Sequence, residues 1–104
     1  MSRPMLPVDR LLKSNTIENL WIYILSLLRK RKIYAWEIPS IIEKKFHFKP
    51  GKITPYRVLY RLEKEGFVKS KIKERRRVYE ITEKGEKELE KAKNFYKTTL
   101  KWLK

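Results

Sequence analysis

The segment Thr54-Pro55-Tyr56-Arg57-Val58-Leu59-Tyr60-Arg61-Leu62-Glu63-Lys64-Glu65-Gly66 is followed at once by Phe67-Val68-Lys69-Ser70-Lys71-Ile72, the polar run Lys73-Glu74-Arg75-Arg76-Arg77, and Val78-Tyr79-Glu80-Ile81-Thr82. A hydroxyl residue followed by proline is a helix start signal, with Thr54 as cap and Pro55 at the first helical position. Gly66 is a natural C-terminal stop. The two flanks of the polar run are rich in β-formers, so they are expected to pair as a hairpin. At about 100° per residue, the helix places Val58, Leu59 and Leu62 on one side. Tyr56, Arg57, Tyr60 and Lys64 fall on the other, with Arg61 at its edge.

Upstream, Lys49-Pro50-Gly51-Lys52 reads as a turn. Before it, a helix is expected from Ala35 to about Phe46, with Trp36, Ile38, Ile41, Ile42 and Phe46 as apolar positions and Pro39 tolerable only in its first turn. Further back, Asn15 can cap the run Ile17 to Leu28, with Glu18 closing a capping box. The cations Arg29, Lys30, Arg31 and Lys32 then suit that helix's C-terminus. Pro4 and Pro7 argue for an extended tail over residues 1–8. Downstream, Thr82 can cap a last helix reaching about Leu103, roughly 30 Å long at 1.5 Å per residue.

The expected order is three helices, a hairpin directly after the third, and a long terminal helix. That is the order of a winged helix-turn-helix: mainly α with a small β-hairpin, residues 9–82 forming the winged unit and 83–104 a dimerisation helix on the same core. A chain of 104 residues fits one such domain.

Composition narrows the function. The formal charge is +15, and a surplus that large makes polyanions the default partner class. Residues 51–78 carry ten Lys or Arg against three Glu, the densest surplus in the chain. With no cysteine, one histidine (His47) and one aspartate (Asp9), neither a metal cluster nor a nucleophile-base set is expected, so the chain reads as a non-enzyme without metal or cofactor. His47 is assigned no role. Ile17 to Leu28 is too short and too polar to span a bilayer, and no secretory h-region precedes it, so a cytoplasmic protein is expected. Glutamine is absent while Lys, Glu, Ile and Tyr abound, a bias expected of a thermophile.

The outward Tyr/Arg face suits duplex DNA, because guanidinium forks match phosphate oxygens or the guanine edge and phenols donate to phosphates. A merely solvated basic face is the bland alternative. The expected DNA-binding set is Thr54, Tyr56, Arg57, Tyr60, Arg61 and Lys64, with Lys73, Arg75, Arg76 and Arg77 from the hairpin. On the terminal helix Leu89, Ala92, Tyr96, Thr99 and Leu103 follow 3-4-3-4 spacing beside Phe95 and Trp102. With Leu20 and Trp21 of the first helix they form the expected homodimer interface; docking within the chain is the alternative. Trp21, Trp36 and Trp102 are expected in core or interface, where an aromatic-lined slot would suit a small, flat hydrophobic effector.

With these residues in view, the sequence resembles the PadR family of winged-helix transcription regulators, its short members in particular, over roughly Thr16 to Leu103. The resemblance rests on Thr54, Tyr56, Leu59, Arg61-Leu62-Glu63 and Gly66, and on Arg75-Arg76-Arg77-Val78-Tyr79-Glu80-Ile81-Thr82-Glu83-Lys84-Gly85. The family's Gly-Tyr-Glu-Ile appears as Ala35-Trp36-Glu37-Ile38, and Arg57 stands where many members have proline. The resemblance implies a homodimer joined through first and terminal helices, usually a repressor, some members of which answer to phenolic acids or hydrophobic drugs. The expectation is therefore a sequence-specific double-stranded DNA-binding regulator. A non-specific DNA-coating protein or an RNA-binding module is the competing reading.

Overall fold

The helix that opens the deciding segment runs Thr54–Lys64 in the computed structural model, which describes residues 5–104. Seven other elements surround it. In chain order the elements are α1 (Pro7–Asn15), α2 (Leu20–Lys30), β1 (Ile33–Tyr34), α3 (Ile38–Phe46), α4 (Thr54–Lys64), β2 (Val68–Lys73), β3 (Arg76–Ile81) and α5 (Glu83–Trp102). Single 3₁₀ turns at Ile17–Asn19 and Ala35–Glu37 lead into α2 and α3. The strands form one antiparallel sheet in the order β1-β3-β2. The expected architecture of helices, wing and long terminal helix is present.

The core is built around α2, which buries Leu20, Ile24, Leu25, Leu27 and Leu28. Ile38 and Ile42 of α3, Leu59 and Leu62 of α4, Val68 and Tyr79 of the hairpin, and Leu89 of α5 close on it. Helical spacing explains α2 and α4; on β2 and β3, alternation turns Val68, Tyr79 and Ile81 toward the helices. Thr82 caps α5 as expected, its Oγ1 accepting from the Gly85 N–H at 3.1 Å while donating to the Gly66 carbonyl at 2.7 Å. Gly66 (φ 88°) ends α4 in the left-handed conformation that lets the chain enter β2.

Several local expectations are corrected. Residues 1–4 of the expected tail lie outside the described residues, but Pro7 and Val8 are helical, because Pro7 occupies the first turn of α1 and the Leu6 N–H donates to Asp9 Oδ2 at 2.9 Å. Asn15 closes α1 instead of capping α2: its Nδ2 donates to the Leu11 carbonyl at 2.9 Å, and no capping box with Glu18 forms. Thr54 lies inside the first turn of α4, where Ile53 is the N-cap residue without a side-chain cap bond. His47, a structural rather than a ligating residue on the sequence reading, is the left-handed C-cap of α3, at φ 63°.

Candidate nucleic-acid interface

The sheet places the hairpin beside α4 through a specific anchor. Glu63, on the flank of α4, accepts from the Ser70 N–H at 3.1 Å and from Ser70 Oγ at 2.8 Å; Arg77 Nη1 in turn donates to Ser70 Oγ at 2.8 Å. A carboxylate, a hydroxyl and a guanidinium thus tie helix to wing. Tyr79 lies against this anchor. Burial raises its phenol pKa, the Glu63 charge adds to the rise, and Arg77 and the Ser70 hydrogen bond oppose it.

With the wing fixed, the outer face of α4 is open. Tyr56 and Tyr60 are 46% and 68% exposed, and Arg57, Arg61 and Lys64 are exposed beside them, whereas Leu59 and Leu62 are buried. The expected division of the helix into a packed and a presented side is therefore found, and Thr54 sits half-buried at its start. At the wing, β2 and β3 pair up to Lys73↔Arg76, leaving Glu74 and Arg75 as a two-residue turn. Both adopt positive φ (53° and 65°), the pattern the right-handed strand twist requires of such a turn. Lys73, Arg75 and Arg76 are exposed there. Arg77 is also solvent-accessible, but its guanidinium is engaged by Ser70, so the three arginines are not equivalent.

Sequence reasoning missed one member of this surface. Trp36, expected in core or interface, is 54% exposed and lies under the Arg76 guanidinium, 5.1 Å from ring to Cζ. The antiparallel register explains the contact: Tyr34 faces Val78, so two residues on from Tyr34 and two back from Val78, Trp36 comes beside Arg76. The two-residue strand β1 that sets this register leaves no periodic signal in the sequence. On the outer sheet face Lys69, Lys71 and Lys73 are exposed, and Glu80 is bridged at 3.3 Å by both Lys32 and Lys69. The hydrogen bond from Lys69, with that from Lys32, holds its carboxyl below the ordinary carboxylate range.

Of the residues expected at a dimer interface, Leu20 and Leu89 are corrected: at 1% and 3% exposure they belong to the chain's own core and have no surface left to offer. Trp21, Ala92, Tyr96 and Thr99 are partly buried; Phe95, Trp102 and Leu103 are 61%, 76% and 77% exposed. Among the described residues there is no cluster that could hold a metal ion, and no helix is long and apolar enough to cross a membrane.

The model of the transcriptional regulator PadR-like family matches residues 24–91, which takes in α3, α4, the wing and most of α2. The chain belongs to that family. Among solved structures, the PadR-like chain is similar to a transcriptional regulator from Clostridium thermocellum, at 32% identity over 86% of this chain and 95% of that one (TM-score 0.77). It is also similar to a PadR family regulator from hypervirulent Clostridium difficile, at 27% identity over 81% and 93% (TM-score 0.74). A winged-helix DNA-binding protein from STIV shares the fold, at 22% identity over 77% and 88% (TM-score 0.68). Among curated proteins none matches the PadR-like chain.

Proposed function

We propose that this PadR-like protein is a sequence-specific double-stranded DNA-binding regulator that works as a homodimer, in the repressor's sense. The observation that carries the reading is the α4 face: two exposed tyrosines and three exposed cations on one side of a helix whose other side is locked into the core, with a cationic wing anchored beside it. A rigid helix with Tyr and Arg outward can enter a major groove, and the wing can follow the backbone or the adjacent minor groove. Family membership supports the regulator over the DNA-coating and RNA-binding readings. Membership of a transcription-regulator family favours a non-enzymatic, cytoplasmic role, and the glutamine-free composition fits a thermophilic source.

The homodimer is supported by unclaimed apolar surface. Of the 20 residues of α5 only Gly85 and Leu89 are buried, and α1 buries none. Phe95, Leu100 and Trp102 on α5, Leu103 just beyond it, and Val8, Leu11 and Leu12 on α1, are left to water in a single chain, and exposed apolar side chains gathered on two helices suit an interface. A twofold partner that covers them would set two α4 helices about 34 Å apart, on successive major grooves. For a small hydrophobic effector, the cleft of about 510 Å³ where Trp21, Val58 and Phe67 meet Arg57 and Arg61 is the natural place. A ligand there would touch the recognition helix itself.

A competition titration tests the proposal. The labelled duplex comes from the region upstream of the protein's own gene, and the competitors are scrambled duplex DNA and duplex RNA at physiological salt. The expected result is a preference of about a thousandfold or more for the specific duplex, with two chains bound per site. Equal affinity for scrambled DNA would leave only the coating function, and displacement by RNA at equal mass would favour the RNA-binding reading.

A further inference from the structure

Where the turn before α3, the start of α4 and the wing meet, the surface forms an open groove lined by Ala35, Trp36, Tyr56, Arg76 and Arg77. Three features set it apart from a solvated corner. Trp36 is more than half exposed although its ring is large and apolar, and nothing in the core explains it. The Arg76 guanidinium lies over that ring with its Cζ 5.1 Å from the centroid, and among the described residues no carboxylate pairs with it. Tyr56, on the first turn of α4, brings a phenol to the same groove.

We propose that this groove is a seat for one backbone phosphate of duplex DNA and its adjoining deoxyribose, with Trp36 as the positioning residue that holds Arg76 for it. The inference rests on the DNA-binding reading above. A cation–π contact uses none of the guanidinium's hydrogen-bond donors on a carboxylate and leaves N–H groups free for a phosphate contact. The indole restricts the long Arg76 side chain before DNA arrives, so less rotamer freedom is lost on binding. The exposed remainder of the indole is an apolar platform of the size of a sugar, and the Tyr56 hydroxyl is placed to donate to the phosphate from the helix side. Arg77 contributes differently: with Nη1 already donated to Ser70, it holds the groove's outer wall in place. The seat therefore couples the wing to the first turn of α4 and fixes how far apart they meet the duplex.

A double-mutant cycle on the full chain tests this with the same upstream duplex, about 30 base pairs long so that two half-sites fit. The proteins are the wild type, Trp36→Leu, Arg76→Ala and the double variant, with Trp36→Tyr as the conservative rescue; thermal melts establish that each is folded. Trp36→Leu and Arg76→Ala are each expected to weaken binding about fivefold or more, and the double variant to lose clearly less than the product of the two single losses. Arg76→Ala lowers the salt slope by about one, whereas Trp36→Leu, which keeps the charge, leaves it unchanged. Trp36→Tyr binds within about twofold of the wild type, since it keeps an aromatic face. Independent effects that multiply in the double variant, or full affinity in Trp36→Leu, would overturn the seat while leaving the DNA-binding reading intact. Failure of the wild type to bind any duplex would overturn that reading instead.

Discussion

Arg75, Arg76 and Arg77 are neighbours of identical chemistry with three different surroundings. Arg75 is at the turn, Arg76 lies on Trp36, and Arg77 donates to Ser70, which is bound by Glu63. Strand alternation forces the last two apart, because consecutive residues of β3 point to opposite sheet faces. The salt dependence of DNA binding should therefore separate them: Arg75→Ala is expected to lower the slope of log K against log salt by about one, and Arg77→Ala by much less, its loss acting through a loosened wing. Equal slopes for the two variants would mean that Arg77 leaves Ser70 to contact DNA. The outward set Tyr56, Arg57, Tyr60, Arg61 and Lys64 was legible in the sequence because helical periodicity fixes direction once Leu59 and Leu62 are recognised as core. Trp36, Leu20 and Leu89 were not. Their sides depend on β1, on the 3₁₀ entries and on how α5 docks against α2, none of which is set by local pattern.

At the scale of elements, the hairpin is held at its base and strained at its tip. The Glu63–Ser70–Arg77 anchor secures the base, while Glu74 and Arg75 both occupy a left-handed region that side chains other than those of Gly, Asn and Asp rarely adopt. Replacing the pair by Asn and Gly should stabilise the fold by about 1 kcal/mol, raising the melting temperature by about 4–8 °C, while weakening DNA binding through the loss of Arg75. An unchanged or lower melting temperature would mean the turn is unstrained. The hairpin and the long helix were readable because β-formers, a polar turn, and Thr82 and Gly66 as start and stop all agree. The start of α2 was not, since Asn15 can close one helix as readily as open the next and the α1–α2 break is set by tertiary contact, including the Tyr23 hydroxyl donating to the Asn15 carbonyl at 2.7 Å.

Across the whole molecule, two surfaces stand out. The outer face of α4 and the wing bring Arg57, Arg61, Lys64, Lys73, Arg75 and Arg76 to solvent beside Tyr56 and Tyr60, while α1 and the end of α5 expose Leu11, Leu12, Phe95 and Trp102. In the first half of α5, Glu83, Glu88 and Glu90 pair with Lys87, Lys91 and Lys93, and Glu90 also with Arg29 at 2.6 Å, whereas Lys97 and Lys101 have no acidic neighbour on the helix. Net charge alone would attract DNA to any basic face, so the account stands or falls on where the charge is placed. The most direct measurement compares two variants that lose the same charge: Arg57→Ala with Arg61→Ala on α4, and Lys97→Ala with Lys101→Ala on α5. The dissociation constant for the upstream duplex is read for both at one salt concentration. The expected result is about a hundredfold or greater loss for the α4 pair, with discrimination against scrambled DNA reduced, and no more than about a threefold loss for the α5 pair. Equal losses in the two would contradict it.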